Sequence, residues 1–127
     1  MFFVSLVHPF TCHGIYVCFC KYICTHDDYS YVGGLYTKTL AGIKAGTIIL
    51  IGVAHKAKVF KLENKLVFDS FDEWKCAGGN IKVSALREKL LKTLSPTSFV
   101  VHDSIMQAEH SLEAITPFLS GCCLQTG

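Results

Sequence analysis

A chain of 127 residues is long enough for one domain with a substantial core and too short for two. Half of its residues are hydrophobic and 17% are charged, so the composition excludes a disordered tail. The net charge of +2 comes from scattered Lys and Arg rather than a basic run, which excludes an electrostatic nucleic-acid interface.

The first 24 residues are apolar, but they match neither a signal peptide nor a membrane span. No basic residue precedes the apolar run, and Lys21 is its first charge. His8, Pro9 and His13 interrupt the segment before it reaches the roughly 20 apolar residues that a spanning helix needs. We therefore predict no membrane association for this protein.

The seven cysteines predict a reducing compartment. Their number is odd, and their spacings lack the paired C-x-x-C pattern of a structural zinc site. We interpret them as reduced thiols, which behave as small hydrophobic residues, and expect a cytoplasmic location.

The first half of the chain predicts a strand, a helix and a second strand. Residues 15–24 are rich in β-branched and aromatic types and predict a buried strand. Residues 36–44 have a helix-like apolar face. Residues 47–51 form an apolar run that predicts a strand buried on both faces, as in a parallel sheet.

The second half continues the alternation of strands and helices. Residues 58–62 and 65–68 predict a hairpin, followed by a loop over residues 69–80. Ser84 is expected to cap a helix that presents a leucine face and ends before Pro96. A short strand at residues 99–101 and a helix at residues 107–119 complete an α/β fold.

Two histidines are candidate metal ligands. His26 and His55 directly follow strands that a crossover helix is expected to place parallel in one sheet. Ligands bind at the carboxyl ends of strands in such sheets, and two converging imidazoles can hold a divalent metal. Asp27 and Asp28 could orient the His26 ring. The alternative is that these residues only form polar turns.

A second candidate group lies in the segment Glu109-His110-Ser111-Leu112-Glu113. On a helix, His110 and Glu113 share a face at i and i+3 and can form an acid–base pair. The alternative is that Glu109 and Glu113 only favour the positive end of the helix dipole. His8, His13 and His102 have no partner pattern in the sequence.

Three motifs in register resemble those of the Memo family, and the bacterial AmmeMemoRadiSam system protein B branch in particular. They are His26-Asp27-Asp28-Tyr29 with Gly33-Gly34, the run from Ile49 to His55, and Glu109-His110-Ser111-Leu112-Glu113. The resemblance implies a three-layer fold with a mostly parallel sheet, similar to class III extradiol dioxygenases of the LigB type. It also implies an iron or copper site with His26 and His55 as ligands, and an active-site motif that contains His110.

The resemblance covers only part of the chain. Residues 16–120 form the partial Memo-like domain, whereas residues 1–15 and 121–127 match nothing in the family. Thr25 stands where the family usually has proline, and the chain ends at Gly127, before the Ser-Ser-Asp segment that supplies the third ligand. The expected product is an amino-terminal fragment, truncated at the C-terminus, with a weak metal site.

Three functions follow from these residues. The first is a metal-dependent, dioxygenase-like redox enzyme, with His110, Glu113 and Asp28 as catalytic residues and a small-molecule substrate. The second is a noncatalytic module that binds a peptide or a phosphorylated ligand. The third is an inactive truncated product.

Overall fold

The computed structural model describes residues 2–8, 29–41, 43, 47–62 and 64–123. This part of the chain contains both strands and helices, which confirms a mixed α/β class, although the two kinds of element do not alternate strictly along the chain. In chain order they are β1 (Phe2–His8), α1 (Tyr29–Leu40), β2 (Ile48–Val53), β3 (Leu66–Phe68), β4 (Glu73–Trp74), β5 (Ile81–Val83), α2 (Leu86–Thr93), β6 (Phe99–Val101), α3 (Asp103–Ala108) and α4 (Thr116–Cys123).

The sheet is mixed, so the expectation of a mostly parallel sheet is wrong outside the segment formed by β1, β3 and β6. These three strands pair in parallel. Strand β1 also pairs antiparallel with β2 and with β5, and β4 pairs antiparallel with β5. Only residues 75–80 separate β4 from β5, too few for the crossover that a parallel connection needs.

Strand β1 occupies a central place that the sequence did not predict. It pairs with β2 along Phe2 to Val7, while β3 and β5 pair with opposite ends of it. Residues 15–24, where the sequence predicts a strand, lie outside the described residues. The first strand described is therefore within the segment that matched no family motif.

Two hydrophobic clusters lie on opposite faces of the sheet. Val67 and Phe68 are neighbours on β3, so their side chains point to opposite faces. Val67 belongs to a main cluster with Tyr36, Leu40, Leu50, Ile105, Met106, Leu112 and Leu119. Phe68 packs against the predicted leucine face of α2, formed by Leu86, Leu90, Leu91 and Leu94. Helices thus cover both faces, which gives three layers.

Strand β2 is buried on one face only, which corrects the prediction of two buried faces. Leu50 is buried, whereas the side chains of Ile49, Ile51 and Val53 alternate with it and are exposed. The α2 cluster covers the opposite face of the sheet over β3 and β6 and includes no described residue of β2.

The predicted hairpin over residues 58–68 is also wrong in its first half. Residues 55–61 form successive turns, with hydrogen bonds from Val59 N to Lys56 O and from Leu62 N to Ala57 O. Lys61 adopts a positive φ of 53°, which a strand does not allow. The backbone thus closes on itself instead of pairing with β3.

The start of α3 is tied to the loop after β3 through Asp103. One carboxylate oxygen accepts a hydrogen bond from the Ser70 backbone N–H at 2.7 Å, and the other accepts one from the Ser70 hydroxyl at 2.5 Å. The Ser70 hydroxyl, followed by the Ser70 backbone N–H, holds the pKa of Asp103 below its usual value, against a small opposing effect of burial.

Replacing Asp103 with Asn is expected to destabilise the protein at neutral pH and to cost progressively less in acid. A carboxyl whose folded-state pKa is lowered adds stability above its unfolded pKa of about 3.9 and loses it as pH falls through the folded-state pKa. Urea unfolding at pH 7 and at about pH 3 measures the difference, with the exposed Asp72→Asn as control. If the difference in free energy of unfolding between Asp103→Asn and the parent is larger in acid than at pH 7, the proposed role of the Asp103 carboxylate is wrong.

Candidate functional site

Three of the sequence-predicted site residues lie in the described part of the chain: His55, His110 and Glu113. His26 and Asp28 lie outside the described residues, so the pairing of His26 with His55 stays a prediction. His55 follows the carboxyl end of β2, separated from it only by the buried Ala54. Its side chain is 43% exposed, which leaves the ring accessible from solvent.

The imidazole of His55 is held by a carboxylate that is distant in sequence. Nδ1 of His55 lies 2.9 Å from Oε2 of Glu109. The other oxygen of Glu109 accepts a hydrogen bond from the Lys56 backbone N–H, also at 2.9 Å. The Glu109 side chain is only 3% exposed, so both of its oxygens act inside the protein. This arrangement fixes the orientation of the His55 ring.

The same contact determines where the imidazole carries its proton. An ionised carboxylate only accepts hydrogen bonds, so Nδ1 of His55 must be the protonated nitrogen in this pair. In the neutral ring, Nε2 then keeps its lone pair. A histidine oriented in this way is suited either to bind a metal or to accept a proton.

His110 lies beside His55, as the sequence analysis requires if both belong to one site. The two ring centroids are 5.7 Å apart and the planes differ by 4°, so the imidazoles are stacked. His110 is exposed, and its neighbour Glu109 is buried. One short segment therefore places a buried carboxylate beneath His55 and a second imidazole against it.

The segment that carries Glu109 and His110 is pressed onto the end of β2. The Ser111 hydroxyl donates a hydrogen bond to the Val53 carbonyl at 3.0 Å. At Gly52, an added Cβ would lie 2.6 Å from the Ser111 Oγ and 2.8 Å from a methyl carbon of Leu112. Glycine at this position is what allows the segment to approach so closely.

Changing Gly52 to Ala is expected to destabilise the protein by about 1–3 kcal/mol, because overpacking a tight contact forces side chains and backbone apart. The Ser111 hydroxyl can rotate only by losing its bond to Val53, and Leu112 is buried in the main cluster. Chemical denaturation measures the loss. In the matched control, Gly34→Ala on α1, the added Cβ meets nothing within 4 Å, and stability should rise. Equal effects at the two glycines would contradict this close approach.

The predicted helix over residues 107–119 is broken into two, so His110 and Glu113 do not share a helical face. Glu109 is extended, with ψ of 149°, where α3 ends. Pro117 has no N–H to donate to the Glu113 carbonyl, and the Thr116 hydroxyl donates to that carbonyl instead. Glu113 lines a separate cavity with Trp74 and Met106. The acid–base pairing of His110 with Glu113 remains a prediction, but it no longer follows from a shared helical face.

Sequence reasoning missed the contact of Glu109 with His55, since the helix dipole was the only role weighed for Glu109. The available signal was Pro117, which is tolerated in the first turn of a helix and so favours a helix that begins near Thr116 over one that runs from residue 107. It could not have identified His55 as the partner, because the two residues are 54 positions apart.

Among the described residues, His55 has the surroundings of a possible metal ligand. His55 has a carboxylate on Nδ1, the outer contact that metal-binding histidines usually have. Within residues 29–123 as described, no group of three or more His, Cys, Asp or Glu side chains could hold a metal. Among the described helices, none is long and apolar enough to cross a membrane.

A family model described as Memo-like protein matches residues 16–126. No curated protein and no solved structure matches this chain. The match begins just after the unmatched amino-terminal segment and includes the residues around His55 and Glu109.

Proposed function

This chain belongs to the Memo-like family, and on that premise we propose that it carries a metal site built on His26 and His55. We further propose that the site supports redox chemistry similar to that of class III extradiol dioxygenases, on a small-molecule substrate. Iron or copper is the metal we assign, since imidazole nitrogens suit both.

The contact between Glu109 and His55 carries this proposal. A buried carboxylate costs free energy unless its oxygens are paired, and here one oxygen is engaged by His55 and the other by the Lys56 N–H. The pair lies just beyond the carboxyl end of β2, where α/β sheets keep their ligand sites. Burial of a charge to orient one exposed ring is expected of a ligand or a base, and is unnecessary for a turn residue.

Each residue has a distinct part in the proposed site. A bound metal would polarise a substrate oxygen and provide redox chemistry. His26 and His55 would hold it, and Asp28 would orient the His26 ring. His110, stacked on His55, would exchange a proton with the substrate, and Glu113 would assist from the adjoining turn.

The finer placement within the family is also a proposal. The motif His26-Asp27-Asp28-Tyr29 supports the AmmeMemoRadiSam system protein B branch. We propose that the fold resembles the LigB type only in part, and that His26 and His55, as two ligands, hold the metal weakly. Seven cysteines favour a reducing cytoplasm.

The test is metal binding by the full chain. Equilibrium dialysis against Fe²⁺ and Cu²⁺ is expected to show one saturable site, and His55→Ala is expected to lower its affinity at least about tenfold. The matched control is His102→Asn, which removes an imidazole but keeps an acceptor for the Ile105 N–H at the start of α3.

Each outcome bears on the proposal. Loss of affinity in His55→Ala with wild-type binding in His102→Asn supports it. Equal binding by both variants and the parent, or binding by none of them, contradicts it.

A further inference from the structure

A cavity of about 230 Å³ is lined by neither His55 nor His110. It is bordered by Phe71, Trp74, Lys75, Met106, Gln107, Glu113 and Thr116. These residues come from the loop after β3, from β4 and the loop that follows it, from the end of α3, from the turns between α3 and α4, and from the start of α4. An engineered apolar cavity of about 150 Å³ holds benzene, so this cavity is large enough for a molecule of a few more heavy atoms.

One part of the cavity wall is apolar, formed by Phe71, Trp74 and Met106. Phe71 and Trp74 meet edge to face, with ring centroids 6.0 Å apart. Met106 is buried and belongs to the main hydrophobic cluster, so it forms a fixed part of the lining. A ligand with an aliphatic side chain would find complementary surface here.

The cavity also carries two opposite charges that the described residues do not neutralise. Lys75 and Glu113 are both exposed at its border. The salt bridges formed within the described part of the chain involve neither of them. A cation and a carboxylate at one small cavity match a ligand that carries both charges itself.

We propose that this cavity binds a small zwitterion of the amino-acid class, with its carboxylate toward Lys75, its ammonium group toward Glu113 and its apolar side chain against Phe71 and Met106. A simple anion fits less well because Glu113 repels it, and a simple cation is repelled by Lys75. This proposal does not depend on metal at His55, because the cavity and its charges are present without it.

The protein contains its own probe. Trp74 is the sole tryptophan of the chain and lines the cavity, so indole fluorescence reports binding there. L-Leucine is expected to change Trp74 emission saturably below about 10 mM, the range for a ligand of this size. N-acetyl-L-leucine lacks the ammonium group and L-leucinamide lacks the carboxylate, and each is expected to bind at least about tenfold more weakly.

Two variants test which charged group of the ligand each side chain contacts. Lys75→Met should remove the preference for leucine over leucinamide, and Glu113→Gln should remove the preference for leucine over N-acetylleucine. Both side chains are exposed, so the variants should fold, and unfolding curves verify this. Lys92→Met and Glu88→Gln on α2 are the matched controls and should keep both preferences.

No change of Trp74 emission with leucine, or preferences that persist in both variants, would overturn the proposal. If only one of the two variants loses its expected preference, the charge removed in that variant contacts the ligand as proposed. The role proposed for the other charge is then wrong.

Discussion

Replacing Glu109 with Gln is expected to lower metal affinity about 10- to 100-fold, the usual effect of losing the outer contact of a ligand histidine. Gln has nearly the same shape, and its carbonyl can still accept the Lys56 N–H. Its amide group then faces Nδ1 of His55 as a donor, so Nδ1 must accept and the ring proton moves to Nε2. A protonated Nε2 cannot bind a metal.

The tautomer can be measured without any metal. Nitrogen-15 NMR of the His55 ring should show protonated Nδ1 in the parent and protonated Nε2 in Glu109→Gln, with a loss of stability under about 1.5 kcal/mol. Glu113→Gln, the same chemical change four residues along the chain, is the control and should leave the His55 tautomer and the metal affinity unchanged. If Glu109→Gln keeps both the His55 tautomer and the metal affinity of the parent, the proposed role of the Glu109 carboxylate is wrong.

Replacing Arg87 with Leu is expected to destabilise the protein by about 3–5 kcal/mol, because it leaves a buried carboxylate without its cation. Nη1 of Arg87 lies 2.6 Å from Asp69 and 2.7 Å from the Phe71 carbonyl. The Asp69 side chain is fully buried, so water cannot replace the lost guanidinium. Since Phe71 also lines the cavity, the change should weaken leucine binding as well.

Urea unfolding of three variants tests this assignment. Arg87→Lys keeps the charge but not the planar guanidinium, and should cost less than Arg87→Leu. The double variant Arg87→Leu with Asp69→Leu removes both charges and should recover much of the loss. If Arg87→Leu lowers the free energy of unfolding by less than about 1 kcal/mol, the ion pair between Arg87 and Asp69 does not stabilise the fold as proposed.

Local patterns predicted several elements because each pattern reflects local burial. The leucine spacing of α2 and the apolar run of β2 were read correctly as a helix and a strand, since each places its apolar residues against a neighbouring layer. The two-sided burial of β2 was wrong, because a continuous apolar run does not show how far a helix extends over each face of the strand.

The elements that were wrong depend on single residues that interrupt a pattern. Lys61 has a positive φ that no hydrophobic pattern specifies, and it replaces a predicted strand by turns. Pro117 and the extended Glu109 divide a segment whose leucine and isoleucine spacing still suits one helix. In the second case Leu112, Ile115 and Leu119 still pack in the core as predicted, whereas in the first case Val59 is exposed.

The candidate site was predicted in its residues but not in its contacts. His55 and His110 were selected because they follow a strand and lie in a motif, and the structure stacks them. The carboxylate that orients His55 was assigned to a different role, because contacts across 54 residues depend on how β2 and the Glu109 segment pack. A single sequence holds no direct record of that packing.

The proposal that His26 and His55 bind one metal ion can be tested by electron paramagnetic resonance of the full chain with Cu²⁺ and nitrogen-15 histidine. We expect hyperfine coupling to two imidazole nitrogens in the parent, and to one in either His26→Ala or His55→Ala. A spectrum that neither substitution alters would contradict it.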